Sequence, residues 1–186
     1  NNEENWLLWL DCFDPHEPWD PPSPYDKMYA DPRYTGPKII APDIGERSSR
    51  GKADYFTEDE VRHIRALYAG VVTLVDEWIG VFLNRVKDLG FWEKTLIIYL
   101  SDHGEPLGEH GIIRKTRPWP YEELSHIPLI IRHPEGIGRR KRVDAFVDTT
   151  DIMPTILDFL EIPRSGIPKG EPTPRMRRMK PLNMHG

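Results

Sequence analysis

The sequence predicts an α/β layered fold, with a mostly parallel sheet flanked by helices. Three observations point there. Short unbroken apolar runs recur at Trp6–Leu10, Thr95–Leu100 and Ile127–Ile131, and such runs suit strands buried on both faces. One long stretch, Thr57 to Leu89, carries helical spacing. The densest polar cluster begins where the second apolar run ends, and ligands in α/β sheets bind at the carboxyl ends of strands.

Taken in order, Trp6-Leu7-Leu8-Trp9-Leu10 is expected to be a first buried strand ending at Asp11. Eight of the 19 prolines lie between Pro15 and Pro42, so Phe13–Pro42 reads as a long surface excursion without helix. Thr57 and Glu60 form a capping box. Behind it, Val61, Ile64, Tyr68, Val71, Val75, Trp78, Phe82, Val86 and Leu89 recur at steps of three and four, the rhythm of an amphipathic helix. Gly90 is a C-terminal stop, and Gly70 and Gly80 are places where the helix could break. Thr95–Leu100 is a second strand, Ile127–Ile131 a third and Val143–Val147 a fourth. Asp151–Leu160 reads as a short helix, with Pro154 in its first turn. The folded body is thus expected over 1–162. Residues 163–186 hold six basic residues against Glu171, without apolar periodicity, and read as a Pro/Arg-rich tail or linker.

Composition removes several function classes. The 186 residues carry 25 Lys and Arg against 30 Asp and Glu, a formal net charge of −5, which argues against a nucleic-acid binder that reads phosphates with a basic face. The longest unbroken apolar runs fall far short of the ~18 residues of a membrane span, so neither nucleic acid nor membrane is expected as a partner. The single cysteine, Cys12, excludes an intramolecular disulfide framework and a Cys-rich zinc module. At the edge of an apolar run it reads as a small buried hydrophobe rather than a nucleophile.

Three clusters could carry chemistry. Ser101-Asp102-His103-Gly104-Glu105, continuing to Gly108-Glu109-His110-Gly111, offers a carboxylate and an imidazole to a hard divalent cation such as Ca²⁺, Mn²⁺ or Mg²⁺; it would serve equally as a polar turn capping a strand. Gly104 would let the backbone turn sharply. Asp14-Pro15-His16-Glu17-Pro18-Trp19 places His16 between prolines. It is either presented as a donor or proton source, or simply a surface histidine. Arg114-Lys115-Thr116-Arg117 is either a solvated basic loop or an anion site. His63, His126, His133 and His185 show no partner set and read as structural or exposed.

Together these clusters resemble the sulfatase family of the alkaline-phosphatase-like superfamily. The similarity runs in order through Asp14–Trp19, Tyr68–Gly80, Leu100–Lys115, and Ile127–Ile131 with Asp148–Leu157, and covers about residues 6–162. The resemblance implies an alkaline-phosphatase-like layered fold and cleavage of sulfate esters. It implies that Asp102 and His103 are two ligands of a divalent cation, Ca²⁺ first, with Mn²⁺ or Mg²⁺ as alternatives. His at the second position is similar to phosphonate monoester hydrolases. Lys115 would bind the ester oxygens and ease leaving-group departure, and His16 would hydrogen-bond the same group and protonate the leaving oxygen. The implied substrate is a small-molecule or carbohydrate sulfate ester.

In that family the nucleophile is a formylglycine made from the Cys or Ser of a C-x-P-x-R motif. Cys12 is followed by Phe13, Asp14, Pro15 and His16, which is not that motif. The expectation is therefore that the chain is the C-terminal portion of a sulfatase catalytic domain. Its fold would be incomplete on the N-terminal side, its nucleophile would lie upstream, and the 186 residues alone would have no turnover. Two alternatives remain: a phosphonate monoester or phosphodiester hydrolase of the same superfamily, and a non-catalytic relic of the fold.

Overall fold

Thr57 opens the longest element. Its hydroxyl accepts from the Glu60 backbone N–H at 3.2 Å, and the Glu60 carboxylate accepts from the Thr57 N–H at 2.7 Å. This reciprocal pair satisfies two of the donors that a helix start leaves open. Glu58, Asp59 and Glu60 crowd the first turn and Arg85 and Lys87 the last, each with the sign the helix dipole favours.

The computed structural model describes residues 6–42, 56–115 and 120–163. Their elements in chain order are α1 (Tyr25–Met28), α2 (Glu58–Asp88), β1 (Ile97–Leu100), α3 (Glu122–Ser125), β2 (Leu129–Arg132) and α4 (Ile152–Phe159), with 3-10 turns at Trp92–Lys94 and Thr149–Asp151. They fall into two compact units. The first is drawn from Asn1–Trp92 and His103–Pro128, the second from Glu93–Asp102 and Leu129–Gly186.

The first unit holds the core. Trp19, Ile64, Leu67, Val71 and Ile113 are buried together, with Ile39, Ile40, Phe56, Val61, Tyr68, Val75 and Leu107 packed around them. Trp19 meets Tyr68 edge to face, ring centroids 5.7 Å apart, a favoured aromatic geometry. By length and composition α2 is apolar enough to cross a membrane. Its periodic face, however, is spent on this core through Ile64, Leu67 and Val71, as in an amphipathic core helix.

Helix α2 runs unbroken through both glycines. A Cβ on Gly70 would stand 2.4 Å from the Tyr25 carbonyl oxygen, whereas one on Gly80 would meet nothing within 4 Å. Gly70 is therefore a point of close approach to α1. That short helix corrects the expectation of no helix in Phe13–Pro42; Pro24 precedes it as N-cap, so no proline interrupts its own ladder. Tyr25 donates to Glu77 at 2.5 Å, and Tyr29 and Thr73 hydroxyls share a bond of 2.8 Å.

Two further expectations are corrected. Trp6–Leu10 forms no strand, and all five side chains are exposed, Trp9 at 75%. An apolar run becomes a buried strand only where neighbours pair with its backbone and layers cover both faces, and no described residue pairs with it. Cys12 beside it is accordingly exposed. Val143–Val147 likewise forms no strand, with Phe146 at 81% exposure.

In the second unit β1 and β2 pair antiparallel, Ile97 opposite Arg132 and Leu100 opposite Leu129. Among the described residues this is the one sheet, so the mostly parallel sheet is not what they form. Arg132 ties the pair down by donating to the Thr95 carbonyl and to Glu93, both at 3.1 Å. The expected helix at Asp151–Leu160 is present as a 3-10 turn at Thr149–Asp151, capped by the Asp148 carboxylate, followed by α4. The tail from Arg164 onward lies outside the described residues.

Candidate functional site

The first unit brings three of the four singled-out residues together. Lys115 Nζ lies 3.0 Å from His16 Nε2 and 2.7 Å from His103 Nε2. The imidazole centroids of His16 and His103 are 6.4 Å apart. Asp102, exposed at the end of β1, belongs to the second unit.

Each group is held by local backbone. His16 sits in a turn closed by its own N–H to the Phe13 carbonyl at 3.0 Å, with the Phe13 ring 4.6 Å from its own. Trp19 anchors the same loop. Its indole N–H donates to the Pro15 carbonyl at 3.0 Å and its backbone N–H to the Ile40 carbonyl at 2.6 Å. Lys115 follows a tight reversal over Leu107–Ile113, whose two ends form a bridge. Gly108 and Gly111 take φ of 103° and 70° there, a region that favours glycine. Ile112 and Ile113 plunge into the core. Arg65 of α2 holds the reversal from outside, donating to the Leu107 carbonyl at 2.7 Å and to Glu109 at 3.3 Å.

Gly104 has a different reason from the expected sharp turn. Its φ is not positive. Instead a Cβ would stand 2.0 Å from the Glu123 carbonyl oxygen, and its N–H donates to the Leu124 carbonyl at 2.8 Å. The glycine allows the segment after His103 to lie directly against α3.

Tautomers follow from the partners. His16 Nδ1 is 2.8 Å from the Glu17 carbonyl oxygen, and His103 Nδ1 is 2.8 Å from that of Gly104. Carbonyls only accept, so both Nδ1 atoms carry the proton; the Lys115 ammonium only donates, so both Nε2 atoms accept. Two imidazole lone pairs thus converge on one cation. For His103 this is the tautomer of a metal ligand whose other nitrogen is pinned to the backbone, although here its Nε2 lone pair faces the Lys115 ammonium. The fit is partial: among the described residues no group of three or more His, Cys, Asp or Glu side chains could hold a metal ion. For His16 the tautomer leaves Nε2 as the acceptor that faces Lys115. It donates there only after taking up a proton.

Behind these groups lies a charged layer that the sequence did not single out. Glu17 is 5% exposed and ion-paired to Arg114. Arg114 also donates to the Pro42 carbonyl at 2.9 Å. The Arg114–Lys115 run is therefore not a uniformly solvated loop, since Arg114 turns inward while Lys115 stays exposed. Burial pushes the Glu105 carboxyl up to about 7, helped by the nearby Glu17 charge and opposed by Lys115 and Arg114. No periodicity announces such a pair; the one available signal was an acidic residue directly after His16 and a basic one directly before Lys115.

The other histidines are placed as follows. His63 stacks on Tyr34, centroids 4.3 Å apart, and burial followed by the Lys38 charge lowers its pKa. His126 pairs with Glu122, and His133 packs edge-on to Phe159. His185 lies outside the described residues.

Most of the chain is similar to known proteins. An arylsulfatase of Clostridium perfringens is 33% identical over 168 residues, covering 84% of this chain and 34% of the relative. A multifunctional alkaline phosphatase superfamily protein of Trinickia caryophylli is 30% identical, covering 86% of this chain and 35% of that protein. The chain thus spans about a third of the length of these relatives. Among solved structures, the phosphonate monoester hydrolase of Agrobacterium radiobacter superposes with a TM-score of 0.63 at 29% identity, over 80% of this chain and 33% of that one. A protein in complex with its substrate D-glucosamine-2-N,6-O-disulfate gives 0.55 at 32% identity, over 67% and 26%. The Sulfatase family pattern itself matches residues 1–162, and the chain belongs to the sulfatase family.

Proposed function

We propose that the full-length protein hydrolyses sulfate esters, and that this chain supplies the part of the site that binds the sulfuryl oxygens and the leaving group. The observation that supports it most is the convergence of His16 and His103 on the Lys115 ammonium. Ester cleavage at sulfur develops negative charge on the equatorial oxygens and on the leaving oxygen. A fixed ammonium aimed there is a source of electrostatic stabilisation. Lys115 would bind the sulfuryl oxygens. His16, after taking up a proton at Nε2, would hand it to the leaving oxygen.

Asp102 and His103 would hold part of the coordination of a divalent cation, Ca²⁺ first and Mn²⁺ or Mg²⁺ as alternatives. Such an ion supplies Lewis-acid polarisation of the ester oxygens. The nucleophile would be a formylglycine from a segment outside these 186 residues, so this chain alone would not turn over. A sulfated sugar is a reasonable substrate class, because one structural relative was solved with such a substrate.

The test is Lys115→Ala in the full-length protein, assayed on an aryl sulfate with added Ca²⁺ or Mn²⁺. The expected outcome is a fall in kcat of about 10²–10³-fold, the usual effect of removing one transition-state donor. Retention of wild-type turnover would sink the reading. A phosphonate monoester or phosphodiester substrate is the second reading, favoured by the 0.63 TM-score to the phosphonate monoester hydrolase. Faster turnover of a phosphodiester than of an aryl sulfate would select it.

A further inference from the structure

Glu17 and Arg114 are ion-paired across 97 residues of chain, and each is the immediate neighbour of a proposed site residue. Glu17 follows His16 and Arg114 precedes Lys115. The pair is buried on the carboxylate side, with Glu17 5% exposed against 21% for the Arg114 side chain. A charge so placed persists only when it is paired, because an unpaired buried carboxylate is strongly destabilising.

The contacts on either side are as specific as the pair. Glu17 Oε1 takes the Arg114 guanidinium, and Oε2 lies 3.3 Å from His16 Nδ1. The same Nδ1 donates to the Glu17 carbonyl at 2.8 Å, so one residue faces the His16 ring with both its backbone and its carboxylate. Arg114 spends a second N–H on the Pro42 carbonyl at 2.9 Å, and its backbone N–H donates to the Pro106 carbonyl at 3.0 Å. It does so at φ 67°, a conformation that a non-glycine residue holds only when its surroundings over-determine it. Three chain segments, around residues 16, 42 and 114, therefore meet at one guanidinium.

We propose that the buried Glu17–Arg114 ion pair is the positioning device of the site, setting the His16 ring and the Lys115 ammonium at their working separation. This rests on the proposed sulfate-ester reading for its catalytic consequence, but not for its structural one. Both act through their chain neighbours, His16 and Lys115. Arginine is the residue type the job needs, since its planar fork can bond a carboxylate and a carbonyl at once.

The experiment compares Glu17→Gln, which keeps the shape, with Arg114→Lys, which keeps the charge, and with the double Glu17→Gln/Arg114→Gln, which neutralises both. All are made in the full-length protein labelled with ¹⁵N-histidine. The ring nitrogen signals of His16 are read with and without inorganic sulfate, and kcat and KM are measured on an aryl sulfate. The expected result is loss of the pure Nδ1–H signature of His16 and a weaker response of its ring to sulfate. A fall in kcat of about 10–100-fold accompanies them, the usual loss when an outer partner of a site residue is removed, with KM changed less. Unchanged ring signals, or changed signals with unchanged kcat, overturn the proposal even if melting temperature falls, since a merely structural pair would lower stability alone. If the wild-type protein turns over no aryl sulfate, the proposed function fails on that arm, and the ring signals and sulfate response alone decide the positioning role.

Discussion

Glu105 shows how burial at one residue sets a pH dependence. Its carboxyl is pushed from its ordinary value of 4.5 up to about 7, first by desolvation and then by the Glu17 charge, while one of its oxygens is buried without a hydrogen-bond partner. Between those two values the folded chain holds a proton that the unfolded chain releases. Stability from this group is therefore fully present below about pH 4.5 and falls as pH rises through 7. Glu105→Gln should flatten that fall and raise stability at pH 8 by ~2 kcal/mol, read from urea melts across pH 5–8. An unchanged slope would remove Glu105 from the account. His16, His103 and Lys115 could be singled out because they sit in distinctive local strings, and the fold brings both histidines within hydrogen-bond reach of Lys115. Their partners could not be: Glu17 and Arg114 lie 97 residues apart, and nothing in either neighbourhood encodes that they meet.

At the level of elements, the two glycines of α2 separate propensity from packing. Both weaken a helix intrinsically by up to about 1 kcal/mol relative to alanine. Gly80 faces open space, so Gly80→Ala should stabilise by roughly that amount. Gly70 lies against the Tyr25 carbonyl at a distance no Cβ tolerates, so Gly70→Ala should destabilise by about 1–3 kcal/mol through displacement of α1. Chemical denaturation of the two variants checks both signs. The helix was legible because a cap, a sustained 3.6 period and a terminal glycine agree over 31 residues. The four-residue β1 and β2 were legible as apolar runs but not as a pairing direction. An apolar run says that both faces want cover, not which neighbour supplies it.

Across the whole molecule the burial is uneven. Among the described residues every buried side chain belongs to the first unit, whereas β1, β2 and α4 contain none. Local stability follows buried contact density. Backbone amides of Ile64–Val71 in α2 should thus exchange at least about tenfold more slowly than those of β1 and β2, measured by hydrogen exchange with mass spectrometry. Equal protection would contradict the burial pattern. Trp19→Ala, which empties the largest fully buried position, should cost ~3–5 kcal/mol and lower protection throughout Ile64–Val71.

The amino-acid order was sufficient for whatever depends on neighbours within a few residues. It specified the capped helix α2 and the motif order that marks a sulfatase. Contacts between distant segments were decided only by the folded chain. These include the Lys115 ammonium between two imidazoles, the Glu17–Arg114 pair behind it, and the reason for glycine at 70 and 104. Trp6–Leu10 likewise reads locally as a buried strand, yet no described residue pairs with it. A short-range pattern records what a segment can do. Burial and ion pairing are pairwise properties of space, and they come into existence only when the partner segment arrives.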